Sequence, residues 1–305
     1  MSNYWFLTEI GILDEKGIPV ADIPFQGKPV IHGNIQDNQV AVIVDRRELW
    51  TFVDGHWFNQ VSSDLKLNCV LWTPKNEILL GTATARLAWG NGDGLEFIQS
   101  FDQVKERSLW NTPWGGPPDV RSLTLGADGT LYANVHVGWI VRSTDGGNSW
   151  EITRDGLEKD VHHVSAHPKN PKIVFAATAW GFHISYDRGT QFLRRWDHIP
   201  QNYQRTTMCF PDEEVYLASV ANNSSGGNAT LYRSKDEGKT WANVKGLPSS
   251  VQANINTFQL IGLPGGHGLM ILENTKLYET KDYGKTWMGS TLDLPKVYQI
   301  LPLKE

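Results

Sequence analysis

Only two cysteines, Cys69 and Cys209, occur in 305 residues, and each sits inside an apolar run. So low a count excludes a disulfide framework and a cysteine-based metal site, and predicts two buried thiols in a reducing compartment. No stretch approaches the roughly 18 apolar residues of a membrane span, and residues 1–11 carry no basic cluster leading into an apolar run. Cytoplasmic residence, without a membrane partner, is the expectation. Runs of like charge are also missing, and the net charge of −5 with a pI near 6.0 gives a nucleic-acid partner nothing to hold. Helical periodicity is scarce. What the chain does have is 29 glycines, 15 prolines and 13 tryptophans in short apolar runs parted by turn signals, which is the pattern of an all-β repeat protein.

One octapeptide organises those runs. Ser143, Thr144, Asp145, Gly146, Gly147, Asn148, Ser149 and Trp150 return in kind at 234–241 and 280–287, and a weaker copy at 185–192 ends in Phe192 instead of tryptophan. The four aspartates, Asp145, Asp187, Asp236 and Asp282, lie 42, 49 and 46 residues apart. Aspartate at the third place of a tight turn accepts bonds from the turn's own N–H groups, and the glycine two residues on supplies a positive φ. The closing aromatic then starts a strand and lays a large apolar face into the core.

This octapeptide resembles the Asp-box, or BNR repeat, of the sialidase-like β-propellers, where it closes the turn between the third and fourth strands of a blade. The resemblance covers at least residues 119–291 and implies a structural role for the four aspartates. It leaves the chemistry open, because that family contains hydrolases, lyases, receptors and assembly factors. A true sialidase resembles its relatives in an Arg-Ile-Pro tripeptide and an arginine triad with a Tyr and Glu pair; no Arg-Ile-Pro occurs here.

Strand rhythm extends the repeat in both directions. The clearest unit has strands at 120–125, 131–137, 139–143 and from Trp150. Further four-strand units are read from Val161, Arg205 and Ile255, and upstream from Val30 and Leu67, giving six blades. The pieces left over, 4–20 and 297–303, are each too short for a blade, so the two ends are expected to share a seventh and close the ring. The expectation is a single propeller domain over 1–305 with seven four-stranded antiparallel blades, and six as the fallback.

Strand direction separates the two faces. The octapeptide turns share one, and the starts of the inner strands open on the other, around the central channel, where propellers bind ligands most often. Aligning Asp119-Val120-Arg121, Asp160-Val161-His162 and Tyr203-Gln204-Arg205 puts Arg121, His162 and Arg205 at equivalent entries, with Asn68 and Asn254 near the same point in two other blades. Second-strand ends add His136, Arg86, Trp180 and Glu273. The long 101–119 connection adds Trp114, and 222–228 reads as a flexible flap. His163 is expected to turn sideways between blades.

Cations and imidazoles between aromatic walls suit a small sugar-like or carboxylate-bearing substrate. Arg121, Arg205 and Arg86 would grip it, with Asn68, Asp119, Trp114, Trp180, Tyr203 and Glu273 as further contacts and His136 or His162 moving the proton. Asp119, Asp160 and Glu273 are the available carboxylates, and the sequence pairs none of them. This favours a histidine-driven hydrolysis or elimination over two-carboxylate chemistry. No tight ligand spacing supports a divalent metal at His136, His162 and His183, so no metal ligand or other cofactor is assigned. The other reading is a non-catalytic propeller that holds a protein or peptide partner on the same rim.

Overall fold

The structure, a computed structural model, describes residues 3–92 and 94–303. Met1, Ser2, Asp93, Lys304 and Glu305, part of the expected 1–305 unit, lie outside the described residues. Six antiparallel four-stranded sheets follow one another at 30–62, 67–97, 120–153, 161–194, 207–243 and 260–293, numbered here as blades 1 to 6. Blade 7 is built from both ends. Val297–Pro302 is its inner strand, Tyr4–Thr8 its second and Gly11–Leu13 its third, and a short fourth pairs through Pro19 with Leu13. The protein is an all-β, seven-bladed propeller closed by its two terminal strands. No helix among the described residues is long and apolar enough to cross a membrane.

Each second strand is apolar on both faces because blades cover it from both sides. In Leu131–Val135, residues Leu131, Ala133 and Val135 pack against blade 2, while Tyr132 points the other way into the blade 4 contact. The period of two is the strand's own.

Inner strands leave an unpaired edge toward the channel, and side chains of the neighbouring blade satisfy part of it. His32 Nδ1 accepts from Val70 N at 3.2 Å, Asn34 from Trp72 N at 2.7 Å, and Ser122 from Val164 N at 3.2 Å. His163, turned sideways as expected, accepts from Thr207 N. At the closure, Gln299 Oε1 accepts from Gly33 N at 2.7 Å and its Nε2 donates to Gly33 O at 2.9 Å.

The octapeptide turns share one bonding scheme. Asp236 Oδ1 accepts from Thr240 N at 2.8 Å and Oδ2 from the Thr240 hydroxyl at 2.7 Å, while Gly238 N donates to Ser234 Oγ. Asp145, Asp187 and Asp282 repeat the backbone bond at 2.9, 3.0 and 2.9 Å. Trp150, Phe192 and Trp287 are buried behind them. Burial pushes the Asp236 carboxyl up, but the bonds from Thr240 and Ser234 outweigh it and hold the group below the usual carboxylate value. Asp236→Ala is therefore expected to lower stability by about 1–3 kcal/mol at neutral pH, with ligand binding unchanged. Because the folded pKa is depressed, the charge-dependent part of that difference should be complete above the unfolded value near 4 and be lost as pH falls through the lower folded pKa. Equal denaturation midpoints at pH 7 would contradict the structural role of the turn.

Three expected segments differ. The 101–119 connection is entered through a helical turn at Gln99–Asp102, contains a 3-10 turn at Arg107–Leu109, and buries Phe101, Val104 and Trp110 in the core. The 222–228 flap is pinned by Ser224 O, which accepts from Arg205 Nη2 and Asn254 Nδ2. Blade 6's inner strand, expected at 255–260, is only Leu260–Gly262. Residues 256–259 instead enter the channel.

Candidate functional site at the channel mouth

The inner strands of blades 1 to 4 share a register shift near their start, between Val30/His32, Leu67/Cys69, Val120/Ser122 and Val161/His163. Such a bulge leaves one residue unpaired and re-aims its side chain. The residues concerned are Ile31, Asn68, Arg121 and His162, and Arg205 stands at the matching place ahead of Thr207–Cys209. A repeated backbone irregularity thus gathers the residues that the alignment placed on one rim.

A cavity of about 450 Å³ opens there, lined by Asn68, Asp119, Arg121 and Arg205. Arg46, Lys296, Asn256, Thr257, Phe258, Gln259, Asn274, Tyr298 and Ile31 complete it, none of which the sequence reading had selected. Phe258 brings an aromatic ring to that lining. This ring lies 4.2 Å from that of His32 and 5.7 Å from that of His163, reaching from blade 6 to blades 1 and 4, and its φ of 73° is strained for a bulky residue. Thr257 fixes the insertion by donating to Arg205 O at 2.8 Å. Burial holds His32 and His163 uncharged, with pKa values pushed down to about 3 and about 4.

The rim is cationic. Arg46, Arg121, Arg205 and Lys296 face the cavity against one lining carboxylate, Asp119. Arg46 donates to Asn68 Oδ1, and Arg205 lies 5.5 Å over the Tyr203 ring with a buried Nε that has no hydrogen-bond partner. Arg121 is half-buried. Burial and then the Arg205 charge lower its pKa, and Tyr203, Asp119 and Asp160 act on it only through space.

Next to Arg121, two imidazoles converge on one carboxylate. His136 Nε2 is 3.1 Å and His162 Nε2 3.2 Å from the same oxygen, Asp160 Oδ1, and both rings are almost wholly buried. His136 follows the second strand of blade 3 on a tight turn whose Val137 and Trp139 have φ of 55° and 64°, a strained arrangement for these side chains. Trp114 covers His136 at 5.2 Å and Tyr203 covers His162 at 4.6 Å between ring centres. Burial lowers the pKa of His136, with the Arg121 charge also acting downward. For Asp160, burial raises the pKa, but the two imidazoles outweigh it and leave the group ionised.

Other expected contacts lie elsewhere. Arg86 is held by Asp102 at 2.5 Å and lies 3.6 Å over the Phe97 ring, because the turn at Gln99–Asp102 returns a carboxylate to it. Glu273 pairs locally with Lys276, and its neighbour Asn274 lines the cavity instead. Asn254 is tied to the flap and Asn256 takes its place. Trp180, 59% exposed, borders a separate groove of about 290 Å³ with Tyr203, Pro200 and Asn202. His183 sits mid-strand, 3.3 Å from Gly181 O, and Asp160 replaces it as the third member of the histidine cluster.

No protein-family profile and no curated protein sequence matches this chain. Solved structures do. An ancestral GH74 enzyme superposes over 95% of the chain with a TM-score of 0.64 at 15% identity. A putative 6-phosphogluconolactonase from Bacteroides fragilis superposes over 97% of this chain and 96% of its own, with a TM-score of 0.63 at 12% identity. YCF48 bound to D1 peptide gives 88% and 85% coverage, 0.59 and 12%. The chain spans only 40% of the GH74 enzyme's length. At these identities the likeness establishes the propeller fold and no activity.

Proposed function

We propose that this sialidase-like Asp-box propeller is an enzyme whose channel mouth binds a small sugar-like acid and hydrolyses or eliminates it. One observation carries the reading. Four cations meet a single lining carboxylate around a cavity able to take a monosaccharide, in a chain whose net charge is −5. Cations held together and partly out of water repel one another and lack hydration, and a bound carboxylate relieves both costs. Arg121, the least tethered of the arginines, is placed to grip that carboxylate. Asn68 and Asn256 bring amides to the lining, the buried Gln259 amide being taken up by Asn256 N, Asn274 and Val297 O, and Tyr298 and Phe258 offer ring faces. The His136–Asp160–His162 cluster beside Arg121 is then the proton-transfer centre, a role that requires the histidines to be uncharged acceptors near neutral pH.

A second reading is supported by Trp114, 67% exposed, and Trp180 on the same face, and by the peptide in the YCF48 structure. A peptide's terminal carboxylate would meet the same arginines with no chemistry following. A thermal-shift panel separates the two. D-Glucuronate, D-galacturonate or N-acetylneuraminate is expected to raise the melting temperature, whereas D-glucose is not. Stabilisation by a free-acid peptide but not its C-terminal amide, with no response to any sugar acid, would replace the enzyme by the scaffold.

A further inference from the structure

Hydrogen-bond bookkeeping around His162 does not close with protein atoms. Its Nδ1 faces Gln204 O, a carbonyl that can only accept, so Nδ1 carries the ring proton. In the neutral ring Nε2 is then a bare lone pair, and it points at Asp160 Oδ1, another acceptor, 3.2 Å away. Both atoms are buried and neither has a properly aligned hydrogen bond. His136 aims its Nε2 at that same oxygen. His162 Nε2 and Asp160 Oδ1 thus set two electron pairs against each other with nothing positive between them, and His136 Nε2 is a third donor at that point when its own proton sits on Nδ1.

A second histidine cluster shows how an ordinary ion-pair arrangement looks. His167 Nδ1 accepts from Lys169 N at 3.1 Å and Asn170 N at 2.9 Å, which places the proton on Nε2, and Nε2 faces Glu214 at 3.1 Å. Donor meets acceptor, and no cation is required. The tautomer at His162 is the reverse.

We infer that His136, Asp160 and His162 bind a divalent transition-metal ion through two Nε2 atoms and one carboxylate oxygen. Bonds of about 2.0–2.2 Å at tetrahedral or octahedral angles put donor atoms about 3.0–3.5 Å apart, the range in which both N···O separations fall. A histidine ligand that donates its other N–H to a backbone carbonyl is the usual outer-sphere arrangement, and Gln204 O supplies it. Imidazole and carboxylate donors suit zinc, manganese or iron(II), and three protein ligands leave coordination positions open for water. The inference rests on the proposed enzyme reading and revises its proton carrier: with both Nε2 atoms on the ion the imidazoles no longer accept the proton, and acidified water on the ion would serve as the base. Metal content is measured without substrate, so it stands or falls separately from sugar-acid binding.

The test uses full-length protein stripped with EDTA and titrated with Zn²⁺, and with Co²⁺ for its visible absorption. Parent and His167→Ala are expected to retain about one ion per chain after desalting, and Asp160→Asn and His162→Gln to bind about 100-fold more weakly or worse. A readout free of variants is the imidazole NMR of the parent: Zn²⁺ should move the His136 and His162 ring signals and leave those of His167 in place. Less than about 0.1 ion per parent chain, with a protonated His162 Nε2, would overturn the site and establish a plain ion pair. Retention of the ion in both cluster variants, or its loss in His167→Ala alone, would overturn it as well.

Discussion

Gln299→Ala is expected to lower the unfolding free energy by about 2–5 kcal/mol, because it strips both partners from buried Gly33 at the seam where the ring closes. A lost buried donor and a lost buried acceptor each carry a desolvation penalty, and water reaches neither easily. The effect should be regional. Amide exchange in the parent should show Val297–Pro302 protected together with Tyr4–Thr8, its antiparallel partner. In the variant both strands should lose protection before blade 4 does. A parent in which 297–302 exchanges like a free tail, or a variant that melts with the parent, would contradict closure by the termini.

Arg121→Ala is expected to weaken binding of a sugar acid by about 100-fold, roughly the loss of one strong charge-assisted hydrogen-bonded pair. Arg205→Ala should act in the same direction, and the two losses should not simply add, since the side chains share one cavity and influence each other's charge. Arg86→Ala is the informative control. It breaks a pair with Asp102 outside the cavity lining, so it should cost stability and leave affinity unchanged. Isothermal titration with whichever acid gives the thermal shift reads all three. Unaltered affinity in Arg121→Ala would remove the cationic rim from ligand binding.

The ring was legible because its signals are local. An aspartate that bonds its own turn and an aromatic that follows it repeat in blades 3 to 6 whatever surrounds them, and period-two strands between turns supply the rest. Arg121, His162 and Arg205 could be placed on one rim because equivalent positions in a repeat share backbone geometry. The bulge that turns them inward leaves no composition signature. Arg86 and Glu273 were misplaced because their partners, Asp102 and Lys276, depend on how a connection folds back or on a contact within one hairpin. Arg46 sits in a charged turn that reads as solvated surface. The stretch Ile255-Asn256-Thr257-Phe258-Gln259-Leu260 alternates like a strand, so its entry into the channel with a left-handed Phe258 had no warning in the pattern. Asp160 was visible as a carboxylate but not as the point where two imidazoles from different blades converge, a relation only the packed ring creates.

The central claim is that the cationic mouth is the ligand site, and arginine side-chain NMR tests it most directly. Nε–Hε signals would be followed in ¹⁵N-labelled protein during titration with D-glucuronate and N-acetylneuraminate. Saturable shifts at Arg121 and Arg205, with Arg142 and Arg188 on the opposite face unmoved, are the predicted result. Saturable shifts confined to that opposite face, or none at any arginine up to millimolar acid, would contradict it.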